Sequence, residues 1–509
     1  MKFVAAQEIR RGEAKAIAQH PGLDVAMMQL AGDGVAGAIA SILSYRDEAR
    51  PTVRFLAGPG NNGGDALCAA ATLDRKGIRS EIWLAAPKDK FKGAARQALN
   101  ELHGTGVDLR EMAEGDWLSA AATSVAPAVL VDALLGTGAT GEPRGAIRLA
   151  IDYLNALSSH CPIVAVDLPT GMNADTGECV EAAVRADVTV TMAYPKPGMV
   201  FADAQEYLGA LWRVPIGLPV TDSHALADAR PDLQWISEDD VRRILRKRAR
   251  ATHKGTYGQA LLMGGSAQYP GAIVLAAQGA IRSGAGLVRV ATTADAAPAV
   301  TRHCPEAILH GDVRQDVSLA GMNAILLGPG LGRDPEARRI TARLLHETPC
   351  PLVLDADAIA VLSGKPEAIR SCPQPVILTP HPGELALLLD TDVATIQQDR
   401  LVAAQEAAER TGAIVVLKGS GTLVAQAGQP AWVNLNGNPG MACGGSGDVL
   451  AGLLAGLAAQ SRDPLAAACT GVWLHGMAGD VAALRNTQAA MTAGDIARSL
   501  PAAFRRVSV

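Results

Sequence analysis

VRFLAGPGNNGGDALCAAATLDRK, residues 53–76, reads as three elements in a row. Val53 to Leu56 is a short apolar strand, Gly58 to Asp65 a loop, and Ala66 to Lys76 a helix. Four glycines in the eight residues GPGNNGGD permit tight turns and close approach of the backbone to a ligand. The helix that follows offers free N–H groups and a positive dipole end, which suit a phosphate. The loop has neither the GK[ST] ending of a Walker loop nor the GxGxxG spacing. A structural turn would account for the glycines, but not for two adjacent Asn followed by an Asp.

Working outward, Glu81 to Ala85, Val129 to Leu135, Ile163 to Leu168 and Val188 to Met192 also read as strands. Their nearly continuous apolar character suits a parallel sheet covered on both faces. Strands alternating with helices predict an α/β fold, here a Rossmann-like three-layer sandwich. Two more strands run into loops bearing Asp and Gly. One is Asp132-Ala-Leu-Leu-Gly136-Thr137-Gly138-Ala139-Thr140-Gly141-Glu142; the other is Val166-Asp167-Leu-Pro-Thr170-Gly171, followed by Ala174-Asp-Thr-Gly177. One Asp alone could be a turn or helix cap. Three such loops at strand C-termini predict a ligand crevice.

The pattern lapses in GLPVTDSHALADARPDLQW, residues 217–235, which reads as a linker between a domain at 1–216 and another at 236–509. A basic stretch, Glu238 to Arg250, reads as a solvated helix face, with an anion-facing or subunit-contacting face as the alternative. New strands follow at 261–263, 287–291, 324–327, 352–354, 376–378 and 414–417. Their ends carry Gly264-Gly-Ser266 with Tyr269-Pro-Gly-Ala272, Gly328-Pro-Gly330-Leu-Gly332, Asp355-Ala-Asp357, Thr379-Pro-His381-Pro-Gly-Glu384 and Lys418-Gly419-Ser420-Gly421-Thr422. Asn438-Pro-Gly-Met-Ala-Cys443-Gly444-Gly445-Ser446-Gly447-Asp448 opens an apolar helix. There the glycines let backbone N–H groups point together at an anion, and Asp448 can accept the proton of an attacking hydroxyl. A capped helix start would explain GGSGD alone; KGSGT ahead of it favours a phosphoryl site. The glycine motifs of the two halves differ, so two unlike α/β domains with separate sites are expected.

Composition narrows the function classes. With 49% apolar and 19% charged residues, the 509-residue chain is globular and long enough for two or three domains. Aromatics are 3%, and Lys+Arg 46 against Asp+Glu 51 leaves net charge −5, so no nucleic-acid partner is expected. Eight cysteines without a CxxC pair read as reduced thiols. MKFVAAQEIRRGEAKAIAQH lacks the apolar core of a signal peptide, and the run Val449 to Ala459 is too short for a bilayer. A cytoplasmic protein without a membrane partner is expected.

GPGNNGGD, DALLGTG and AVDLPTGMNADTG together resemble the epimerase domain of the bifunctional NAD(P)H-hydrate repair enzymes, the YjeF type. The resemblance implies interconversion of the R and S hydrates of NADH and NADPH (NADHX and NADPHX) beside a potassium ion. By it, Asn61, Asn62, Gly63, Gly64 and Asp65, with Gly136, Thr137, Gly138, Ala139, Thr140, Gly141 and Glu142, contact the hydrated cofactor. Asn62, Asp132 and Thr170 supply potassium ligands, and Asp167 is the acid/base. Ala66 and Gln29 depart from the commonest family residues.

HKGTYG, YPGA, GPGLG, TPHPGE and NPGMACGGSGDVLAG are similar to the dehydratase domain of the same family, of ribokinase-like α/β fold. That resemblance implies dehydration of the S hydrate at the expense of ADP, giving AMP and phosphate, with Mg²⁺ at the phosphates. Lys418, Gly419, Ser420, Gly421 and Thr422, with Gly444, Gly445, Ser446 and Gly447, would bind the adenine nucleotide. Ala272, Gly330, His381 and Asp448 would contact the hydrated dinucleotide, Asp448 as catalytic base. Cys443 stands where Thr is commoner. A small-molecule kinase of the hydroxymethylpyrimidine or sugar type is the alternative enzyme, and a nucleotide-binding scaffold the alternative outside catalysis. A homo-oligomer is expected.

Overall fold

Seven strands build the sheet of the first unit, Met1–Pro231. They are β1 Thr52–Ala57, β2 Arg79–Leu84, β3 Asp108–Glu111, β4 Val129–Ala133, β5 Ile163–Val166, β6 Val188–Met192 and β7 Ala210–Val214. The computed structural model describes residues 1–507 apart from 47, 48, 124, 140 and 246. All seven strands pair in parallel in the order β3-β2-β1-β4-β5-β6-β7. The central strands β4, β5 and β6 are buried at every residue, as a sheet covered on both faces requires. The order reverses between β1 and β4, so the crevice beyond their C-terminal ends is a switch point. There the turns after β1 and β4 start in contact: a Cβ on Gly58 would overlap the Leu134 carbonyl oxygen. Only glycine allows the two loops to leave the sheet side by side.

Three helices flank this crevice: α1 Ala6–Gln19, α2 Leu23–Leu43 and α3 Asn61–Arg75. Among the described residues α2 alone is long and apolar enough to cross a bilayer. It buries Met27, Met28, Val35, Ile39 and Ile42, and Gly32 lies against Cys68 and the Asp65 carbonyl of α3. Its apolar length is thus used in the core, and it fixes the start of α3 where GPGNNGGD ends.

The second unit, Asp232–Val509, holds ten strands. They are β8 Leu233–Trp235, β9 Gln259–Met263, β10 Leu287–Ala291, β11 Ile308–Gly311, β12 Ala324–Leu327, β13 Leu352–Leu354, β14 Val376–Leu378, β15 Ile414–Leu417, β16 Thr422–Ala425 and β17 Ala431–Asn434. The order is β11-β10-β9-β12-β13-β14-β15-β16-β17-β8, with β16 antiparallel to both neighbours and the other pairs parallel. It reverses between β9 and β12, whose ends carry GGS and GPGLG. Helix Ser446–Ala458 lies on helix Pro270–Arg282 at backbone contact. A Cβ on Gly452 would overlap the Ala276 carbonyl, and one on Gly279 the Val449 carbonyl. This crossing sets the height of the GGSGD turn above the sheet.

Both α/β domains expected from sequence are present, but residues 217–235 are not a free linker. Val220–Ala225 is helical, Asp222 pairs with Lys15 at 3.0 Å, and Leu226 packs with Val4 and Ile9. Leu233–Trp235 is β8, paired with β17, and the units divide between Pro231 and Asp232. Segments of six and three residues are too short to show a period. The strands β3, β7, β8, β11, β16 and β17 were likewise not legible; all lie toward sheet edges or in the antiparallel extension.

Gly452→Ala should destabilise the second unit by about 1–3 kcal/mol or more, because the added methyl meets backbone that cannot move aside. Gly37→Ala, on the open face of α2 with nothing within 4 Å, should be neutral or stabilise by about 0.5–1 kcal/mol. Denaturant unfolding of both variants measures the contrast.

Candidate active sites

The loops after β1, β4 and β5 meet at the C-terminal edge of the first sheet. Asn62, buried in the first turn of α3, donates from Nδ2 to the Leu135 carbonyl at 3.0 Å. Thr170 Oγ1 donates to Asp132 Oδ1 at 2.7 Å and accepts from the Leu135 N–H at 3.1 Å. The Thr170 N–H donates to Asp132 Oδ2 at 2.7 Å. The three expected cation ligands therefore converge on the backbone of Leu134 and Leu135. Burial pushes the Asp132 carboxyl up to about 6, against the hydrogen bonds from Thr170 and Leu134. No positive side chain acts on it. A buried carboxylate ringed by neutral oxygen and nitrogen groups fits one monovalent cation, whose charge would offset the desolvation.

β5 stops at Val166 because Asp167 takes φ 66°, a conformation rarely adopted outside glycine. Its carboxylate accepts from the Met192 N–H at 3.0 Å and Thr191 Oγ1 at 3.4 Å, and pairs with Lys196 Nζ. Lys196 is 1% exposed and also donates to Thr191 Oγ1 at 2.8 Å and the Met192 carbonyl at 3.2 Å. Two more carboxyls face this pair. Glu13 of α1 is pushed up to about 7 by burial and then by Asp167, with Lys196 and Arg10 opposing. Asp65 of α3 is raised well above the carboxylate range by burial, then by Asp167 and Glu13. One ammonium thus stands among three carboxyl groups.

The rim is the loop after β4. Arg10 of α1 donates to the Thr137 carbonyl at 2.6 Å, and the Ala139 N–H to the Gly136 carbonyl at 3.1 Å. Asn61, Gly138, Gly141 and Glu142 are exposed, whereas Gly63 and Gly64 are buried in the first turns of α3. Gly63 packs on the Gly58 carbonyl and Gly64 on Met28. Thr140 lies outside the described residues. Lys196 and Glu13 escaped the sequence reading. Lys196 sits in AYPKPGM just beyond the end of β6, where the strand-end rule could have found it; nothing local marks Glu13.

In the second unit Gly445, at φ 92°, turns the chain into helix Ser446–Ala458. The first N–H groups of that helix have no acceptor within it. Lys418, just past β15, reaches the same place: a Cβ on Gly447 would lie 3.2 Å from its Nζ. The ammonium pairs with Asp355 at 2.9 Å and lies 3.6 Å from Glu384. Burial works against its charge, but Asp355 and Glu384, helped by Asp448, outweigh burial and raise it. Thr379 Oγ1 donates to the same Asp355 oxygen at 2.7 Å. Asp448 is pushed up to about 7 by burial and by Asp355, with Asp357 and Glu384 adding and Lys418 opposing.

The other expected contacts gather here. The Gly332 N–H and Arg333 Nε each donate to Asp357 at 2.9 Å, which ties GPGLG to the acidic group. A Cβ on Gly330 would lie 3.1 Å from that of Ala272. His381 Nδ1 accepts from the Gly383 and Glu384 N–H groups at 3.0 and 3.2 Å, and Glu384 Oε2 accepts the His381 N–H at 2.8 Å. His381 is therefore first a helix cap, and its side chain is 57% exposed. Thr422 Oγ1 donates to the Gly419 carbonyl at 2.8 Å, and Gly421 takes φ 59°. Cys443 is a free thiol whose carbonyl accepts the Ser446 N–H at 3.3 Å, while Gly444 is exposed. No three His, Cys, Asp or Glu side chains among the described residues form a ready metal cage.

Three supporting residues carried no sequence signal. Arg400 donates to the carbonyls of Ser420 at 2.7 Å, Lys418 at 3.2 Å and Leu417 at 3.3 Å, clamping KGSGT. His475 and Asp480 lie on helix Pro464–Asn486. His475 Nε2 donates to the Ser446 carbonyl at 3.0 Å, and burial pushes its pKa down to about 4, so the ring is neutral. Asp480 accepts from the Gly437 N–H at 3.0 Å and Asn438 Nδ2 at 3.1 Å; burial raises it to about 6.

Residues 24–198 match the family model of the YjeF-related protein N-terminus, and 260–502 that of NAD(P)H-hydrate dehydratase. The bifunctional NAD(P)H-hydrate repair enzyme of Moorella thermoacetica is 36% identical over 521 residues, covering 100% of this chain and 97% of its own. The chain belongs to the family of bifunctional NAD(P)H-hydrate repair enzymes. The Escherichia coli relative of that description is 36% identical over 97% of this chain and 92% of its own. Among solved structures, the ADP/ATP-dependent NAD(P)H-hydrate dehydratase of Bacillus subtilis, co-crystallised with ATP/Mg²⁺, is 32% identical with a TM-score of 0.50. It aligns over 54% of this chain and 99% of its own.

His475 offers a test within this repair enzyme. Its folded pKa lies below the unfolded value, so the unfolded chain binds the extra proton between pH about 6.5 and about 4, and stability falls as pH drops through that window. His475→Gln keeps a donor for Ser446 and removes the titration. Unfolding of both proteins from pH 7 to 4 should show the wild type losing about 3 kcal/mol more than the variant.

Proposed function

We propose that the chain restores hydrated NADH and NADPH in two steps at two sites. The first unit interconverts the R and S hydrates at C6 of the nicotinamide ring. The second removes water from the S hydrate at the expense of an adenine nucleotide. The observation that carries this reading is the helix start at GGSGD, with Asp448 in its first turn and Lys418 beside Gly447. It joins an anion-holding backbone to a carboxylate whose proton affinity suits neutral pH.

In the second unit the S hydrate presents its C6 hydroxyl to Asp448, which takes the proton as the oxygen attacks the terminal phosphoryl group. The N–H groups of Gly447 and Asp448 and the Lys418 ammonium hold the phosphoryl oxygens. The ring nitrogen expels phosphate from C6 to leave a C6=N iminium, and loss of the C5 proton to solvent then forms the C5=C6 bond of the reduced nicotinamide. ADP as donor leaves AMP and phosphate. Lys418 and Arg333 leave the four carboxyls Asp355, Asp357, Glu384 and Asp448 with an excess of negative charge, which would suit a Mg²⁺ ion at the nucleotide phosphates. When bound, Mg²⁺ neutralises charge on the phosphates. In the first unit Asn62, Asp132 and Thr170 would hold K⁺, which supplies a fixed positive charge beside the dinucleotide. Asp167, oriented by Lys196, moves the proton at C6.

The test is to incubate mixed epimers with ADP or ATP and follow recovery of reduced-nicotinamide absorbance. Wild type should convert both epimers. Asp167→Asn should stop once the S form is consumed, with S turnover unchanged. A wild type that converts neither epimer sinks the reading.

Asp448→Asn should lower dehydration by about 10²–10⁴ while nucleotide affinity changes little. Because Asp448 must be deprotonated, kcat/KM for dehydration should rise with pH through about 7. Asp355→Asn removes the nearest negative charge acting on Asp448 and leaves Lys418 beside it. That variant should move the rise to lower pH, which a pH–rate profile reads directly.

A further inference from the structure

Helix α1 precedes residue 24, where the match to the N-terminal family model begins. Its attachments nonetheless belong to the first site. The Ala6 N–H donates to Asp175 Oδ1 at 2.9 Å, in the segment after the β5 loop. Arg10 donates to the Thr137 carbonyl at 2.6 Å, in the loop after β4. Ala6, Arg10 and Glu13 stand at i, i+4 and i+7, which places them on one helical face. The Arg10 side chain reaches the loop that rims the crevice, and Glu13, on the same face, lies close enough to Asp167 and Lys196 for their charges to act on it. There Asp167, Lys196, Arg10 and Asp65 are the charged and titratable groups that act on or are acted on by Glu13. The adjoining flank of α1, with Ile9, Gly12 and Ala16, is buried in the unit together with Ala6, so the helix is a fixed wall.

The geometry points to Glu13 as the proton donor at the C6 hydroxyl, the acid partner of Asp167 in epimerisation. This rests on the epimerase reading of the first unit. Asp167 comes from the strand-end floor and is tied to Lys196; Glu13 comes from the wall. Glu13 transfers its proton to the C6 hydroxyl oxygen. The C6–O bond breaks, the ring-nitrogen lone pair forms the C6=N bond, and water leaves. A second water adds to C6 from the other face, and Asp167 takes the proton it releases. One water is lost and one gained, and the proton moved from Glu13 to Asp167 returns through solvent. Asp65 is less suited to this part: it is buried in the second turn of α3, whereas Glu13 keeps partial exposure. Glu13, held near 7 by burial and Asp167, can give up its proton and recover it at neutral pH.

The experiment compares wild type, Glu13→Gln and Asp167→Asn in full-length protein, using the purified R hydrate in water enriched in ¹⁸O. Wild type should take up one solvent oxygen per epimerisation, and its kcat should fall above pH about 7 as Glu13 loses its proton. Glu13→Gln keeps size and polarity. It should lower kcat by about 10²–10⁴, leave KM nearly unchanged, abolish the alkaline fall and spare S-hydrate dehydration. Normal kcat in Glu13→Gln, or the same alkaline fall, overturns the assignment of Glu13. Retention of the original oxygen overturns the C6–O cleavage it serves. No epimerisation by wild type is a different outcome, which removes the epimerase reading itself.

Discussion

Lys196 is almost wholly out of water, and its contact with Asp167 decides what the first site can hold. Burying an ammonium costs several kcal/mol unless close partners compensate. Here the Asp167 carboxylate, the Thr191 hydroxyl and the Met192 carbonyl do so. Among the described residues, the ion pair uses the only buried positive charge that stands among these three carboxyl groups. Burial first, and then the Asp167 charge, shift both Glu13 and Asp65 toward their protonated forms. The ammonium contacts Asp167 directly, which sets that carboxylate apart from Glu13 and Asp65.

That electrostatic arrangement depends on how closely the backbone can be stacked. Gly58 lets the turns after β1 and β4 touch, which brings Asn62 to Leu135 and Asp132 to Thr170. In the second unit, the contacts at Gly279 and Gly452 press helix Ser446–Ala458 onto its neighbour and carry Asp448 toward Asp355. His475 and Asp480 then pin the turn ahead of that helix from one buried face. A larger residue at any of these glycines would separate groups whose interaction falls off with distance.

The central fold was legible because its strands are buried on both faces and their ends carry glycine loops. β1, β4, β5, β12 and β15 stand where the apolar runs predicted. β3, with the sequence DLRE, is a half-exposed edge whose composition reads as loop. The candidate catalytic carboxylates Asp167 and Asp448 could be picked out because they belong to motifs. Their modulators could not. Lys196 is 29 residues from Asp167, and Lys418 is 63 from Asp355. No local spacing encodes such pairs. His381 shows the opposite limit: the motif was visible, but only the hydrogen bonds from Gly383 and Glu384 reveal that the ring caps its own helix.

The two units use one device to different ends. Lys196 binds the very carboxylate assigned to proton transfer, whereas Lys418 binds Asp355 and leaves Asp448 one step removed. Burial, and then Asp355 against the weaker pull of Lys418, push Asp448 up to about 7. A base of that strength takes a proton from a hydroxyl only when the oxygen is already being drawn toward phosphorus. It thus acts late, with the phosphoryl group in place. In the epimerisation proposed for the first site no phosphoryl group is transferred, and protons pass between carboxyls and water. Direct pairing with the ammonium keeps Asp167 distinct from Glu13 and Asp65 there. Moving a buried lysine by one partner separates a site built for acid–base exchange from one built for displacement at phosphorus.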